Sequence, residues 1–336
     1  MTAERSRATG RPTLDQVAVR AGVGRGTVSR VVNGSAQVSP QAKEAVESAI
    51  AELGYVPNRA ARALVTHRTD SVALVIFESG ERFFTEPFFG RIVQSISSGL
   101  VARNLQMVLM IAQSPQERQR LEGYLTRQHV DGALLLSLHG NDPLPAKLEE
   151  RGVATIRAGR PTQAETGTFV DADNRGGARE AVAYLRRQGR RRIATIAGPQ
   201  DMAAGIARLA GFHDVVGAGP VAIGDFSEES GAAAMQSLLD RHPDLDAVFV
   251  ASDMMAAGAM RVMRGHGLRA PQDVAVIGFD DSVIARHTEP PLTSVHQPIE
   301  EIGQEMVRLL LPKIDGADLD PHEVVLTTRL VLRGSA

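Results

Sequence analysis

Thr13-Leu14-Asp15-Gln16-Val17-Ala18-Val19-Arg20-Ala21-Gly22-Val23-Gly24-Arg25-Gly26-Thr27-Val28-Ser29-Arg30-Val31-Val32-Asn33 reads as two short helices joined by a tight turn. Thr13 and Gln16 stand at capping-box spacing: the hydroxyl can take a free amide of the first turn and the carboxamide can reach back. Leu14, Val17 and Ala18 then form one apolar face, and Ala21-Gly22-Val23 interrupts it after two turns. In the second helix, Val28, Val31 and Val32 point inward. Arg25, Gly26, Ser29, Arg30 and Asn33 point outward. A helix pair of this kind places its second helix in a DNA major groove. Arginine reads guanine and also holds phosphate, while Ser, Thr and Asn serve phosphates and base edges. Arg25, Gly26, Thr27, Ser29, Arg30 and Asn33 are therefore candidate DNA contacts. Gly22-x-Gly24-x-Gly26 also looks like a nucleotide-binding loop. That loop needs a preceding strand, and Leu14–Arg20 is helical by cap and period.

Working outward, Ser39-Pro40 opens a third helix as N-cap and first-turn proline. Val46, Ile50 and Leu53 give its apolar stripe, and Gly54 stops it. Residues 1–68 hold ten Lys/Arg and five Asp/Glu, whereas the rest of the chain holds 27 and 34. A basic head on an acidic body points to a polyanionic partner for the head alone. Residues 1–11 carry Arg5, Arg7 and Arg11 without an apolar run, and read as a disordered basic arm rather than a secretory signal.

From Ser71 onward, short β-rich runs alternate with helical stretches. The runs are Val72–Ile76, Met107–Ile111, Ala133–Leu136, Val153–Ile156, Ile193–Ile196, Ala247–Val250 and Val274–Ile277. The helices are Phe88–Arg103, Pro115–His129, Asn174–Gln188, Glu228–Asp240, Met254–His266 and Ile299–Leu311. Such alternation means parallel sheets with helices on both faces, and the length favours two lobes. Ligands of open α/β sheets bind beyond the carboxyl ends of the strands.

The run Thr13 to Asn33, with Val38-Ser39 and Ala51-Glu52-Leu53-Gly54-Tyr55-x-Pro57-Asn58, strongly resembles the lactose-repressor family. The resemblance implies an all-α helix-turn-helix headpiece (12–57) and a hinge helix with linker (58–69). It also implies an α/β two-lobed domain of the type I periplasmic-binding-protein kind (70–336), which binds an effector and dimerises. The first lobe is expected at about 70–160 and 293–318, the second at about 161–290 and 319–334. The family pattern implies a homodimer on palindromic operator DNA, and adds Thr13, Leu14, Ser39, Tyr55 and Asn58 to the DNA contacts. In the hinge, Ala61 is small enough for close helix pairing, and Leu64 is the apolar wedge that unstacks a base step. By residue type alone, Ala61 and Leu64 read better as the core of an ordinary linker helix, and it is the family match that favours the hinge.

The body carries further matches. Arg208-Leu209-Ala210-Gly211-Phe212 resembles the family's effector-contacting helix, while Ala251-Ser252-Asp253 and Gly278-Phe279-Asp280-Asp281 follow two second-lobe strands. Pro290-Pro291-Leu292-Thr293-Ser294-Val295 resembles a crossover to the first lobe. Sugars are held by planar polar groups that take hydroxyls in pairs and by an aromatic face. Arg208 and Asp280 are the expected pair, and Phe226 the stacking aromatic. Ser252 and Asp253 follow a strand, though Asp253 fits a helix cap as well. Arg160, Ser137 and Glu78 follow first-lobe strands. Phe83, Phe84, Phe88 and Phe89 cluster in a chain only 4% aromatic. Thirteen residues separate Phe212 from Phe226, fewer than the family usually has, so the helix carrying Arg208 is expected to end early. Gly24-Arg25-Gly26-Thr27, Arg82-Phe83-Phe84-x-Glu86-Pro87 and Ile284-Ala285-Arg286-His287 resemble the cellobiose-utilisation repressors of that family, which implies an oligosaccharide effector.

Other classes fit less well. The nine histidines are dispersed, with no His-Glu-x-x-His spacing, and there is no cysteine. No catalytic residue, metal site or cofactor is expected. A periplasmic carrier would need a signal peptide and no basic head. No apolar run is long enough for a membrane span, and the absence of cysteine suits the cytoplasm. A co-repressor such as a purine or phosphosugar would ask for a more cationic pocket. No heptads follow Leu332, which favours a dimer over a tetramer.

Overall fold

Thr13 and Gln16 do cap each other. Gln16 N donates to Thr13 Oγ1 at 3.3 Å and Thr13 N donates to Gln16 Oε1 at 2.8 Å. In a computed structural model of the chain, this box starts α1 (Leu14–Ala21), and Gly22 ends it with φ 65°. Residues 12–32, 37–56, 68–127, 129–162, 167–317 and 320–336 are described. Two compact units result, Met1–Thr69 and Asp70–Ala336. In the first, α2 (Arg25–Val32) follows α1, and Ser39 caps α3 (Pro40–Leu53) by accepting from Ala42 N. Gly54 closes α3 at φ 63°. Val17, Ala18, Val28, Val46, Ala49 and Tyr55 are buried together. Val28 is the enclosed α2 valine, while Val31 and Val32 are half-buried around that core. Enclosing a valine is worth about 1.5–3 kcal/mol, so these few side chains carry much of a small unit's stability.

The second unit contains two six-stranded sheets. The first joins β1 (Ser71–Ile76), β2 (Gln106–Ile111), β3 (Gly132–Leu136), β4 (Ala154–Ala158), β5 (Phe169–Ala172) and β11 (Glu323–Leu326). Its order is β11-β5-β4-β3-β1-β2, all parallel. The second joins β6 (Ile193–Ala197), β7 (Val221–Ile223), β8 (Ala247–Val250), β9 (Ala275–Asp280), β10 (Thr293–His296) and β12 (Arg329–Val331). Its order is β12-β10-β9-β8-β6-β7, parallel except for β12 against β10.

Central strands are covered on both faces, so they read as unbroken apolar runs. In β1, Val72, Leu74 and Ile76 face α5 (Pro87–Val101) and α13 (Ile299–Ile314) through Ile92, Ile96, Ile302 and Met306. Ala73 and Val75 face α6 (Pro115–Leu125) and α7 (Leu144–Glu150) through Leu121, Leu125 and Leu148. The second sheet is covered on one side by α10 (Glu228–Arg241) and α11 (Asp253–Gly265), and on the other by α8 (Asn174–Arg187) and α9 (Ala203–Val216). Short helices α4 (Gly80–Thr85) and α12 (Val283–His287) complete the described elements.

The chain crosses between lobes three times: after β5, after β10 and after β11. This corrects the expected lobe limits. Residues 169–172 and 323–326 belong to the first sheet, and 293–296 to the second. These strands are only four residues long, and β5 pairs with β11 across the five intervening strands β6 to β10. No local pattern carries that pairing. Nor does α9 end early: it runs to Val216 and stops at Gly217. Within the short segment that follows lies β7, only three residues long.

Candidate functional site

On α2, Arg25, Gly26 and Arg30 are exposed and Thr27 and Ser29 half-buried, with 25, 26, 29 and 30 on one helix face. Arg25 Nε lies 3.5 Å from Asp15 Oδ1, and both side chains are mostly in solvent. Such a pair is worth at most about 1 kcal/mol, so the guanidinium is available to a stronger anion. Thr13 and Ser39 are exposed caps whose hydroxyl oxygens accept helix amides, leaving the O–H proton to donate outward. Two of the expected contacts sit against the headpiece core. Tyr55 is only 9% exposed and belongs to the headpiece core, and Leu14 is half-buried against the same core. Asn33, Asn58, Ala61 and Leu64, with the arm and the hinge helix, lie outside the described residues.

The second unit holds a cleft between its lobes, lined by residues of both sheets. Arg208, on α9, is buried at its floor. It donates from Nε to Asn174 Oδ1 (2.9 Å) and from Nη1 to the Ala251 carbonyl (2.6 Å) and Asp280 Oδ1 (3.3 Å). From Nη2 it donates to Gln297 Oε1 (2.8 Å). Its guanidinium carbon stacks 3.7 Å from the Phe279 ring centroid. Asn174 in turn donates to Asp171 Oδ1 at 2.9 Å, and Arg160 Nε donates to Asp171 Oδ2 at 3.1 Å. One chain of hydrogen bonds thus runs from the first-lobe strands through Asn174, at the first crossing, to the second-lobe floor. The expected pair Arg208 and Asp280 meets, with Phe226, Ser137 and Arg160 around the same cavity.

The electrostatics are those of a dry site. Burial pushes Asp280 up to about 8, although Arg208 pulls it down. Burial likewise raises Asp171 and Glu86 against the pull of Arg160 and Arg82, and holds Arg208 below the usual arginine range. Arg82, Arg157, Arg160 and Arg208 face Glu86, Asp142, Asp171 and Asp280, so the described lining matches four guanidiniums with four acidic side chains. Weakly solvated carboxylates accept hydroxyl protons, and guanidiniums donate to hydroxyl oxygens.

Four non-glycine residues at or just beyond strand ends have positive φ: Ser137 (φ 55°), Phe226 (φ 73°), Asp280 (φ 105°) and Asp281 (φ 51°). Each such residue costs of order 1–3 kcal/mol, and such strain gathers at binding sites. Phe226 lies with its ring against Gly198, where any Cβ would collide with it. Arg82, from the other lobe, sits 5.1 Å from the Phe226 centroid.

Three expected residues are not in this cavity. Ser252 is the N-cap of α11, accepting from Met255 N, and Asp253 is buried behind the floor. Asp253 accepts from Ser294 Oγ (2.6 Å) and Ser282 N (2.7 Å), tying α11 to β10 and to the segment before α12. Glu78 lies outside the cavity, 2.6 Å from Arg82 Nη1 and 3.4 Å from His139 Nε2. Conversely, Arg82, Glu86, Asp142, Arg157, Asp171, Asn174 and Gln297 line the cleft without having been singled out. Asp171 lies in the unrecognised β5, and Asn174 and Gln297 sit at crossings. The signal for Arg82 and Glu86 lay in the Arg82–Pro87 motif. Of the four clustered phenylalanines, Phe88 and Phe89 reach the cavity, and Phe84 is 82% exposed. Among the described residues no group of His, Asp or Glu is placed to hold a metal, and no helix is long and apolar enough to cross a membrane.

Comparison with known proteins follows the two units. Residues 13–58 match the bacterial regulatory proteins of the lacI family, and residues 182–336 match the periplasmic binding protein-like domain. The chain is 55% identical over 334 residues to the HTH-type transcriptional regulator CelR of Thermobifida fusca, covering 97% of this chain and 98% of that one. It is 33% identical to the HTH-type transcriptional repressor PurR of Escherichia coli O139:H28, over 96% of both. Among solved structures, a CelR–cellobiose complex matches with TM-score 0.77 and 53% identity, covering 97% of this chain and all of that one. The lac repressor dimer bound to operator and the anti-inducer ONPF matches with TM-score 0.85 and 28% identity, over 97% and 99%.

Proposed function

The chain belongs to the lacI family of bacterial transcription regulators, and from that premise we propose that it is a cytoplasmic homodimer repressing a palindromic operator until a short oligosaccharide such as cellobiose fills its cleft. It is a DNA-binding regulator and not an enzyme, as its relatives are. The observation that carries the sugar reading is the balanced lining of the cleft. Four arginines face four acidic side chains, beside the aromatic face of Phe226. A purine or phosphosugar co-repressor would bring negative or strongly dipolar groups to those carboxylates, whereas a neutral polyol satisfies both signs. The 53% identity to a cellobiose-bound neighbour supports the same choice.

The headpiece contacts are proposed as Thr13, Arg25, Gly26, Thr27, Ser29, Arg30 and Ser39, and the effector contacts as Arg208, Asp280, Phe226, Arg160 and Ser137. A ligand weakens operator binding only by favouring the released conformation. The test is operator binding by fluorescence anisotropy during titration with cellobiose, guanine and glucose 6-phosphate. Cellobiose should lower operator affinity at least about tenfold, and the other two should do nothing. A response to guanine or the phosphosugar alone overturns the sugar reading. Light scattering should give twice the chain mass of 35.9 kDa.

A further inference from the structure

The cleft has two chambers. The inner one is the cavity floored by Arg208, and the outer one opens between α4 and the start of α10. Three residues line both: Arg82, Glu86 and Phe226. They form the wall between the chambers, built from both lobes. Arg82 is anchored on the first lobe, donating from Nε to Glu86 at 2.9 Å and from Nη1 to Glu78 at 2.6 Å. Its guanidinium then lies against the Phe226 ring of the second lobe. Phe226 cannot retreat, because Gly198 fills the space behind it and its own backbone is held at φ 73°. Beyond the wall the outer chamber is acidic, with Glu78, Glu81, Asp225, Glu228 and Glu229.

We propose that Arg82, wedged against Phe226, sets the chain length of the effector: it ends the inner chamber so that a disaccharide fits and a longer oligosaccharide is refused. This rests on the oligosaccharide reading above. A sugar stacked on Phe226 has its next unit directed at the guanidinium. Admitting a third ring would require breaking two charge-assisted hydrogen bonds and the cation–π contact, leaving Glu78 and Glu86 without their counter-ion. Removing the Arg82 side chain joins the two chambers and gives that ring a place.

The test is calorimetric titration of the full-length protein with cellobiose, cellotriose and cellotetraose. The wild type should bind cellobiose at least about tenfold more tightly than cellotriose, a ratio that pocket contacts of this kind reach. In Arg82→Ala the ratio should fall below about threefold, through tighter binding of cellotriose than in wild type. A wild type that binds both sugars equally overturns the proposal, as does a folded Arg82→Ala that keeps the wild-type ratio or loses both sugars. Should Arg82→Ala fail to fold because two carboxylates lose their partner, Glu78→Gln frees one anchor only. Its ratio must then move in the same direction, and an unchanged ratio refutes the wedge. A wild type that binds none of the sugars refutes the oligosaccharide reading itself, and the wedge falls with it.

Discussion

His139 Nδ1 lies 2.9 Å from Asp201 Oδ2, joining the segment after β3 in the first lobe to the segment before α9 in the second. Beside it, Gly140 N donates to the Asp201 carbonyl at 2.7 Å. The other imidazole nitrogen faces Glu78, which is also paired with Arg82. The Glu78 hydrogen bond raises His139 above its ordinary 6.5, burial lowers it, and the Asp201 bond raises it further. A histidine whose pKa is raised in one state favours that state below its ordinary value. It loses the effect as pH rises through the raised value. Sugar binding that draws the lobes together should therefore be tighter at pH 6 than at pH 8. His139→Gln should flatten this difference, measured by calorimetry at both pH values. An equal slope in the variant would clear His139 of the effect.

Asp253 predicts a pH dependence of stability. Burial raises its carboxyl to about 7, against the hydrogen bonds from Ser294 and Ser282 and with the charge of Asp281. A carboxyl raised on folding contributes fully below its ordinary 3.8 and is lost as pH climbs towards 7. Asp253→Asn keeps the shape: its carbonyl can accept from Ser282 N and its amide can donate to Ser294 Oγ. The variant's melting temperature should fall less than the wild type's between pH 4 and pH 8 in a calorimetric scan, where identical curves would show that Asp253 does not titrate with folding.

Gly198→Ala places a methyl group where the Phe226 ring now rests. Overpacking of this kind costs about 1–3 kcal/mol, relieved only by moving the ring out of the cleft. Sugar affinity should drop roughly tenfold or more, while operator binding without sugar persists. Unaltered sugar affinity would show that Phe226 is not the stacking face.

Arg25→Ala should cost about 1–3 kcal/mol of operator affinity and relax the base preference at one position in each half-site. The comparison is anisotropy against the operator and against random DNA. An equal loss on both would make Arg25 a phosphate contact.

The headpiece was legible because its signals are local. Thr13 with Gln16, Ser39 with Pro40, and the glycines at 22 and 54 act within one helical turn, so their spacing alone determines where α1 and α3 begin and end. Tyr55 was the exception. It follows a helix cap, where spacing gives no periodicity, and only packing against Val17, Val46 and their neighbours decides that it is core.

In the body, the sequence by itself determined the long helices, most of the apolar strands and the pairing of Arg208 with Asp280. Apolar periodicity and the family pattern both mark those positions. Tertiary structure alone decided the rest. Four-residue strands such as β5 and β11 exist by pairing with each other across most of the unit, and that pairing fixes which lobe owns Asp171. Asp253, adjacent to the cleft in sequence, was turned inward to Ser294 and Ser282. Arg82 and Phe226, far apart in the chain and on different lobes, were brought face to face. A hydrogen bond or ring contact between distant segments leaves no period in either of them, because its geometry is set by the packing of everything between.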